Sequence, residues 1–247
     1  MLRTVWLIFL EVFYLTGTLF RRPRCDALKK RGDTAGADAI VFDVAQRWAR
    51  FTLRAAGARV ETQGLENLPA DDMPAVYVGN HQGYFDIMLV LGYLGGAKAL
   101  LSKKSIGKVP IARGWMERFR CVFVNREDPR GAAAAFREAA GNVEAGYPII
   151  IFPEGTRSRD GKVAQFKAGA FRIAQKSHVP VVPFCIDGTG LFFERNGKRI
   201  NPEVTLRLRV LPAVDTSAYT RDDWKALPAL CEEQVRAALD EMRAEKV

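Results

Sequence analysis

A chain of 247 residues with 48% hydrophobic content and a formal charge of +9 can bury the core of one domain with a short appendage, which sets intrinsic disorder aside. The charge calls for an anionic partner, and nucleic acid, acidic lipid headgroups or a phosphorylated substrate all satisfy it. The four cysteines Cys25, Cys121, Cys185 and Cys231 are far apart, with no CxxC pair and no Cys/His cluster, so neither a disulfide framework nor a metal site is indicated and a reducing cytoplasmic setting fits.

From Val5 to Phe20 the chain is almost wholly apolar, flanked by Arg3 and by Arg21, Arg22 and Arg24. A helix of that length reaches about 24 Å, short of a bilayer core of about 30 Å. Glu11 falls at its middle, where an acid costs on the order of 3 kcal/mol in a spanning helix. Thr4, Glu11 and Thr18 recur every seven residues as a narrow polar stripe. The pattern predicts a helix lying in the membrane interface or dipping partway into it, with the arginines reaching anionic headgroups. A cleaved signal peptide fits less well, because the dense positive charge follows the apolar run and no A-x-A site lies nearby. A second amphipathic helix is expected over 37–56, with Val41, Val44, Trp48, Phe51 and Ala55 on one face and Gly57 as its cap.

Beyond Gly57, short apolar runs alternate with helical stretches, the pattern of an α/β domain. Strands are predicted at 75–79, 99–102, 121–125, 148–152 and 181–186, several of them continuous apolar runs suited to burial on both faces. Pro180 and Pro183 bracket the last, which predicts an edge or interrupted strand. Val204, Leu206, Leu208 and Val210 alternate with Thr205, Arg207 and Arg209 after a turn at Asn196-Gly197, predicting a half-exposed strand. Asp128-Pro129 is a cap and first-turn pair for a helix to about Ala145, and a last helix is expected from about Pro228 to Ala244. The expected architecture is one mixed-sheet α/β domain flanked by helices, residues 57–247, preceded by a membrane-associating helix pair over 1–56.

Two stretches carry chemistry. Asn80-His81-Gln82-Gly83-Tyr84-Phe85-Asp86 sets an imidazole at a predicted strand end and a carboxylate in the first turn of the helix that follows. A neutral imidazole accepts a proton near neutral pH, and a carboxylate on its other nitrogen fixes the tautomer. His81 and Asp86 fit these roles, and the helix N–H groups are candidates to hold a developing oxyanion. A merely capping role for Asn80 and His81 is the alternative. Phe152-Pro153-Glu154-Gly155-Thr156-Arg157-Ser158 also follows a strand end. Arg157 binds phosphate through paired hydrogen bonds, Gly155 removes bulk, and Thr156 adds a hydroxyl. Glu154 would repel a phosphate, so it is expected to orient Arg157 or accept from a glycerol hydroxyl. Lys103, Lys104 and Arg126 sit at predicted strand ends and are candidates for the same anion.

With four blocks in order, the chain resembles the glycerolipid acyltransferase family typified by 1-acylglycerol-3-phosphate acyltransferase. Asn80 through Asp86 looks like its NHxxxxD block, Phe123-Val124-Asn125-Arg126 like its second block, Phe152 through Ser158 like its FPEGTRS block, and Val179 through Phe184 like its proline-bracketed fourth. The resemblance covers about 57–211. It implies His81 as base with Asp86, acceptor-phosphate binding by Arg126 and by Glu154, Gly155, Thr156 and Arg157, and a basic pair matching Lys103-Lys104. The implied reaction moves a fatty acyl group from acyl-CoA or acyl-carrier protein, as co-substrate, to the sn-2 hydroxyl of lysophosphatidic acid on the cytoplasmic face of the cell membrane, giving phosphatidic acid. No cofactor or metal is implied. Glycerol 3-phosphate or a lyso-ornithine lipid are the other acceptors, and a non-catalytic acidic-lipid-binding module is the non-enzymatic alternative. Nucleic acid is not expected, because no aromatic-basic interleaving or DNA-reading motif is present. Arg120 departs from the family, which usually has glycine there, so its guanidinium either reshapes the phosphate pocket or faces solvent.

Overall fold

The computed structural model describes residues 2–70, 73–96, 98–125 and 128–245. Within them one sheet contains β1 (Arg59–Gln63), β2 (Val76–Gly79), β3 (Ala99–Lys103), β4 (Val122–Val124), β5 (Ile149–Ile151), β6 (Val181–Asp187) and β7 (Thr205–Val210). Their spatial order is β1-β7-β6-β2-β5-β3-β4, parallel throughout except for the antiparallel β6/β7 pair. The mixed α/β sheet expected from the sequence is therefore present.

Alternation along each strand distributes side chains to two apolar layers. Val76, Val78, Ile149 and Ile151 join the layer covered by α6 (Pro129–Glu144), α7 (Gly169–Ser177) and α9 (Arg221–Ala244). Tyr77 and Ile150 face the opposite layer, covered by α3 (Thr34–Ala55) and α4 (Phe85–Tyr93). Burial on both faces explains why β2 and β5 read as unbroken apolar runs, each large aliphatic contributing about 1.5–3 kcal/mol.

Three strand expectations need correction. β6 is central, with Pro183 opposite Val78 of β2. The Val76 N–H donates to the Pro180 carbonyl, so the edge of Pro183 that lacks a donor faces away from β2. There it lies between the β7 ladder, which begins at Phe184 opposite Val210, and the isolated bridge of Val181 with Val214, so no ladder bond is lost. β7 is covered on both edges, and Arg207 is buried against Asp187 at 2.9 Å rather than solvated. β1 has no counterpart among the predicted strands. The last helix begins at Arg221, ahead of Pro228, because Thr220 and Asp223 form a reciprocal capping box that starts it.

At the N-terminus, α1 (Leu2–Thr18) continues through one tight turn (Leu19–Arg21) into α2 (Arg22–Lys30). The polar stripe faces protein. The Glu11 carboxylate accepts from Trp48 and Thr52 of α3, and Thr18 accepts from Trp115 of α5 (Pro110–Arg118). The outer face carries Val5, Trp6, Ile8, Phe9, Val12 and Phe13, all exposed. Of the expected headgroup arginines, Arg21 pairs with Asp43, and Arg22 lies 5.4 Å over the Trp115 ring. Thr4–Lys30 is long and apolar enough to cross a membrane by length and composition.

Candidate active site

Because β2, β3, β4, β5 and β6 run parallel, their C-terminal ends share one edge, where loops of open α/β sheets build sites. The loop after β2 holds Asn80 through Tyr84. Asn80 clamps it to β6, its amide donating to the Ile186 carbonyl at 2.8 Å and its oxygen accepting from the Ile186 N–H at 2.7 Å. The His81 ring stacks on Phe152, centroids 4.3 Å apart, at the end of β5. Its Nδ1 lies 2.5 Å from Asp86 Oδ2.

That same Asp86 oxygen accepts from the backbone N–H groups of Gln82 at 2.6 Å and Gly83 at 2.9 Å, and the other accepts from the Thr189 hydroxyl. Asp86 is fully buried. A carboxylate holding these donors is an acceptor toward His81, which puts the ring proton on Nδ1 and leaves Nε2 with a free lone pair. His81 keeps 15% of its side-chain surface exposed, enough to meet a ligand from one side. Asn80 does more than cap a helix, and the loop is not free to supply an oxyanion hole as expected: the Gln82 and Gly83 N–H groups go to Asp86, and that of Tyr84 goes to Glu194.

The FPEGTRS stretch folds over this loop, since the Ser158 N–H donates to the His81 carbonyl at 2.7 Å. Glu154 neither orients Arg157 nor faces a glycerol hydroxyl. It is buried and accepts from the backbone N–H groups of His81 at 2.7 Å and Ala164 at 3.2 Å, and burial pushes its pKa up to about 7. Its task here is to tie two loops together. Gly155 has φ +72°, a conformation that favours glycine. Thr156 is exposed. The Arg157 guanidinium lies 3.9 Å over the Tyr84 ring and donates to Glu194 at 3.2 Å, so the two motifs share one surface.

Lys103 ends β3 and Lys104 begins the following turn, both exposed on the same sheet edge. Arg126 lies outside the described residues. Arg120 neither reshapes the phosphate pocket nor faces solvent: it pairs with Asp38 at 2.7 Å and stacks 3.5 Å over Tyr147. Its φ of 55° explains why glycine suits this position.

Sequence reasoning missed Thr189, Glu194 and Lys167. The first two follow β6, and nothing in their local sequence marks them; only the pairing of β6 with β2 brings them to the His81 loop. Lys167 points its ammonium toward Gly155, 3.0 Å from where a Cβ there would lie. Beside the site, an apolar cavity of about 270 Å³ runs between α1, α3, α4, β3 and α5, bordered by Leu15, Trp48, Met88, Leu100 and Trp115 and reaching Tyr84.

A buried carboxylate–imidazole pair thus lies beside an arginine-bearing loop, with an apolar cavity reaching the neighbouring Tyr84. Residues 59–187 match the Acyltransferase family model, and the chain belongs to that family. It is similar to the chloroplastic 1-acyl-sn-glycerol-3-phosphate acyltransferase BAT2 of Brassica napus, 42% identical over 60% of this chain and 42% of the relative. A relative of the same activity name in Borreliella burgdorferi is 27% identical over 83% of this chain and 81% of its own. The crystal structure of the 1-acyl-sn-glycerophosphate acyltransferase PlsC of Thermotoga maritima superposes with a TM-score of 0.83 at 28% identity, covering 98% of this chain and 95% of that one. The stretch matched in BAT2 is about two fifths of that relative's length.

Proposed function

We propose that the protein transfers a fatty acyl group from acyl-CoA or acyl-carrier protein to the sn-2 hydroxyl of 1-acylglycerol 3-phosphate, forming phosphatidic acid. The observation that carries this is His81 Nδ1 held 2.5 Å from Asp86 on a loop bonded to the segment bearing Arg157. Names of the relatives in several lineages support the acceptor. The acceptor hydroxyl gives its proton to His81 Nε2 as its oxygen attacks the thioester carbonyl. The tetrahedral intermediate then expels the thiolate, which takes the proton back from the imidazolium. The ester forms, the thioester breaks, and His81 returns to its starting state. Arg157 and Lys103, Lys104 and Arg126 bind the acceptor phosphate. The apolar cavity at Tyr84 suits an acyl chain.

The exposed outer face of α1 fits one leaflet of a phospholipid membrane on its cytoplasmic side. Docking there spares the acyl chains a transfer into water of about 0.8 kcal/mol per methylene. Incubating purified protein with 1-acylglycerol 3-phosphate in vesicles and either labelled donor, with mass spectrometry of products, tests the reaction. Phosphatidic acid is expected; exclusive use of glycerol 3-phosphate or a lyso-ornithine lipid would replace the acceptor, and vesicle binding without transfer would refute the enzyme. The double substitution F9S/F13S should strip the protein from anionic vesicles, and undiminished sedimentation would refute the anchor.

A further inference from the structure

Glu194, outside the four sequence blocks and beyond the span matched by the family model, sits at the anion-binding surface. Its Oε1 accepts from the Tyr84 backbone N–H and from Arg157 Nη1. Those donors, an amide at the start of α4 and a guanidinium, are the kinds that bind a phosphate. A carboxylate therefore holds the donors that a phosphorylated acceptor needs.

The contact is built into the fold. Phe192 is fully buried against Phe85 and Phe193 packs edge-on to Tyr84, which fixes the turn carrying Glu194. A Cβ on Gly83 would meet Glu194 Oε2 at 2.4 Å, so a side chain at 83 would push the carboxylate from its present place on this loop. The hold is also incomplete. Among the described residues Oε2 is buried without a hydrogen-bond partner, and burial raises the Glu194 pKa. Such a carboxylate gains from hydration when it leaves. Arg157 keeps 37% of its side-chain surface exposed, open to an incoming anion.

We propose that Glu194 is a positioning residue of the acceptor site, a resident counter-anion that holds Arg157 across Tyr84 until the acceptor's phosphate displaces it. This rests on the acyltransferase reading in taking Arg157 as the phosphate ligand. Its consequence is a threshold. A site working against an anionic leaflet is surrounded by phosphodiester headgroups, and an anion that cannot outcompete Glu194 does not occupy it.

The test is calorimetric binding of glycerol 3-phosphate and of inorganic phosphate to the full-length wild type, E194Q, R157A and R157A/E194Q, with acceptor kinetics alongside. The amide introduced by E194Q can still accept from the Tyr84 N–H while lacking the charge. E194Q should bind both probes about fivefold or more tightly, lower the acceptor KM more than it alters kcat, and become more sensitive to inhibition by inorganic phosphate. The gain should vanish when Arg157 is absent. Weaker or unchanged binding in E194Q, or a gain that persists in R157A/E194Q, would overturn the proposal. Tighter probe binding through Arg157 in a protein that transfers no acyl group would sink the acyltransferase reading and leave the Glu194 proposal standing. Robust transfer with no gain in E194Q would do the reverse.

Discussion

The two halves of the site are built to opposite standards of restraint. Around His81 the polar groups are buried and committed: Asp86 accepts from the imidazole, two backbone amides and the Thr189 hydroxyl. Around Arg157 the groups lie at a rim, stacked on a Tyr84 ring that is itself 56% exposed. A proton acceptor gains from being locked in one tautomer and one orientation, because misplacement raises the barrier directly. A group proposed to bind an incoming phosphate gains from access. The comparison predicts that damage to the first half is felt in kcat and damage to the second in KM.

D86N should do the most harm. An amide in place of the carboxylate presents its NH2 to donors already aimed at this position and favours the wrong imidazole tautomer, a change that costs about 10⁴ in turnover in a serine protease triad. A loss of about 10³ or more in kcat with intact vesicle binding is expected, and a variant retaining a tenth of wild-type turnover would break the comparison. R157A comes next. Losing a charge-assisted contact of about 1.5–3 kcal/mol should raise the acceptor KM about tenfold to a hundredfold while sparing kcat. An unchanged KM would make Arg157 structural. T189V should lower kcat about tenfold, since one bond to Asp86 is lost and three remain; a purely raised KM would move Thr189 to the other half.

The same contrast governs how much the sequence revealed. The locked half is local, with His81 and Asp86 separated by four residues, and a strand end followed by a helix start is enough to bring them together. β2 and β5 are legible because strands covered on both faces need apolar side chains at every position. β1 escaped because Arg59-Val60-Glu61-Thr62-Gln63 lies at the sheet edge and has one aliphatic residue. Pro183 suggested an edge because a sequence does not say which side its missing donor faces. Periodicity drew the Thr4, Glu11, Thr18 stripe but carries no direction, since a helix packed on its own domain can turn its polar residues inward to partners such as Trp48 and leave an apolar outside. Thr189 and Glu194 depend on β6 lying beside β2, a topological fact with no local signal. The α/β class, the family resemblance and the dyad were therefore legible, whereas the supports of both halves were not.

The gentlest test concerns Glu154, the strut between the halves. Its carboxyl is pushed up by burial to about 7 from an ordinary 4.5, against the opposing pull of the His81 and Ala164 N–H groups. An acid with a raised pKa binds its proton more tightly folded than unfolded, so its contribution to stability is greatest below pH about 4.5. It declines as pH rises to about 7 and is flat beyond, where both states are ionised. E154Q cannot titrate and lacks this slope. Because one of its two acceptor oxygens becomes a donor, E154Q should also be less stable at every pH by about 1–3 kcal/mol. The gap in melting temperature between wild type and E154Q should narrow from pH 5 to pH 8. A gap that widens over the same range would mean that the two backbone donors outweigh burial and hold Glu154 ionised, making the strut a fixed charge beneath His81 rather than a titrating one.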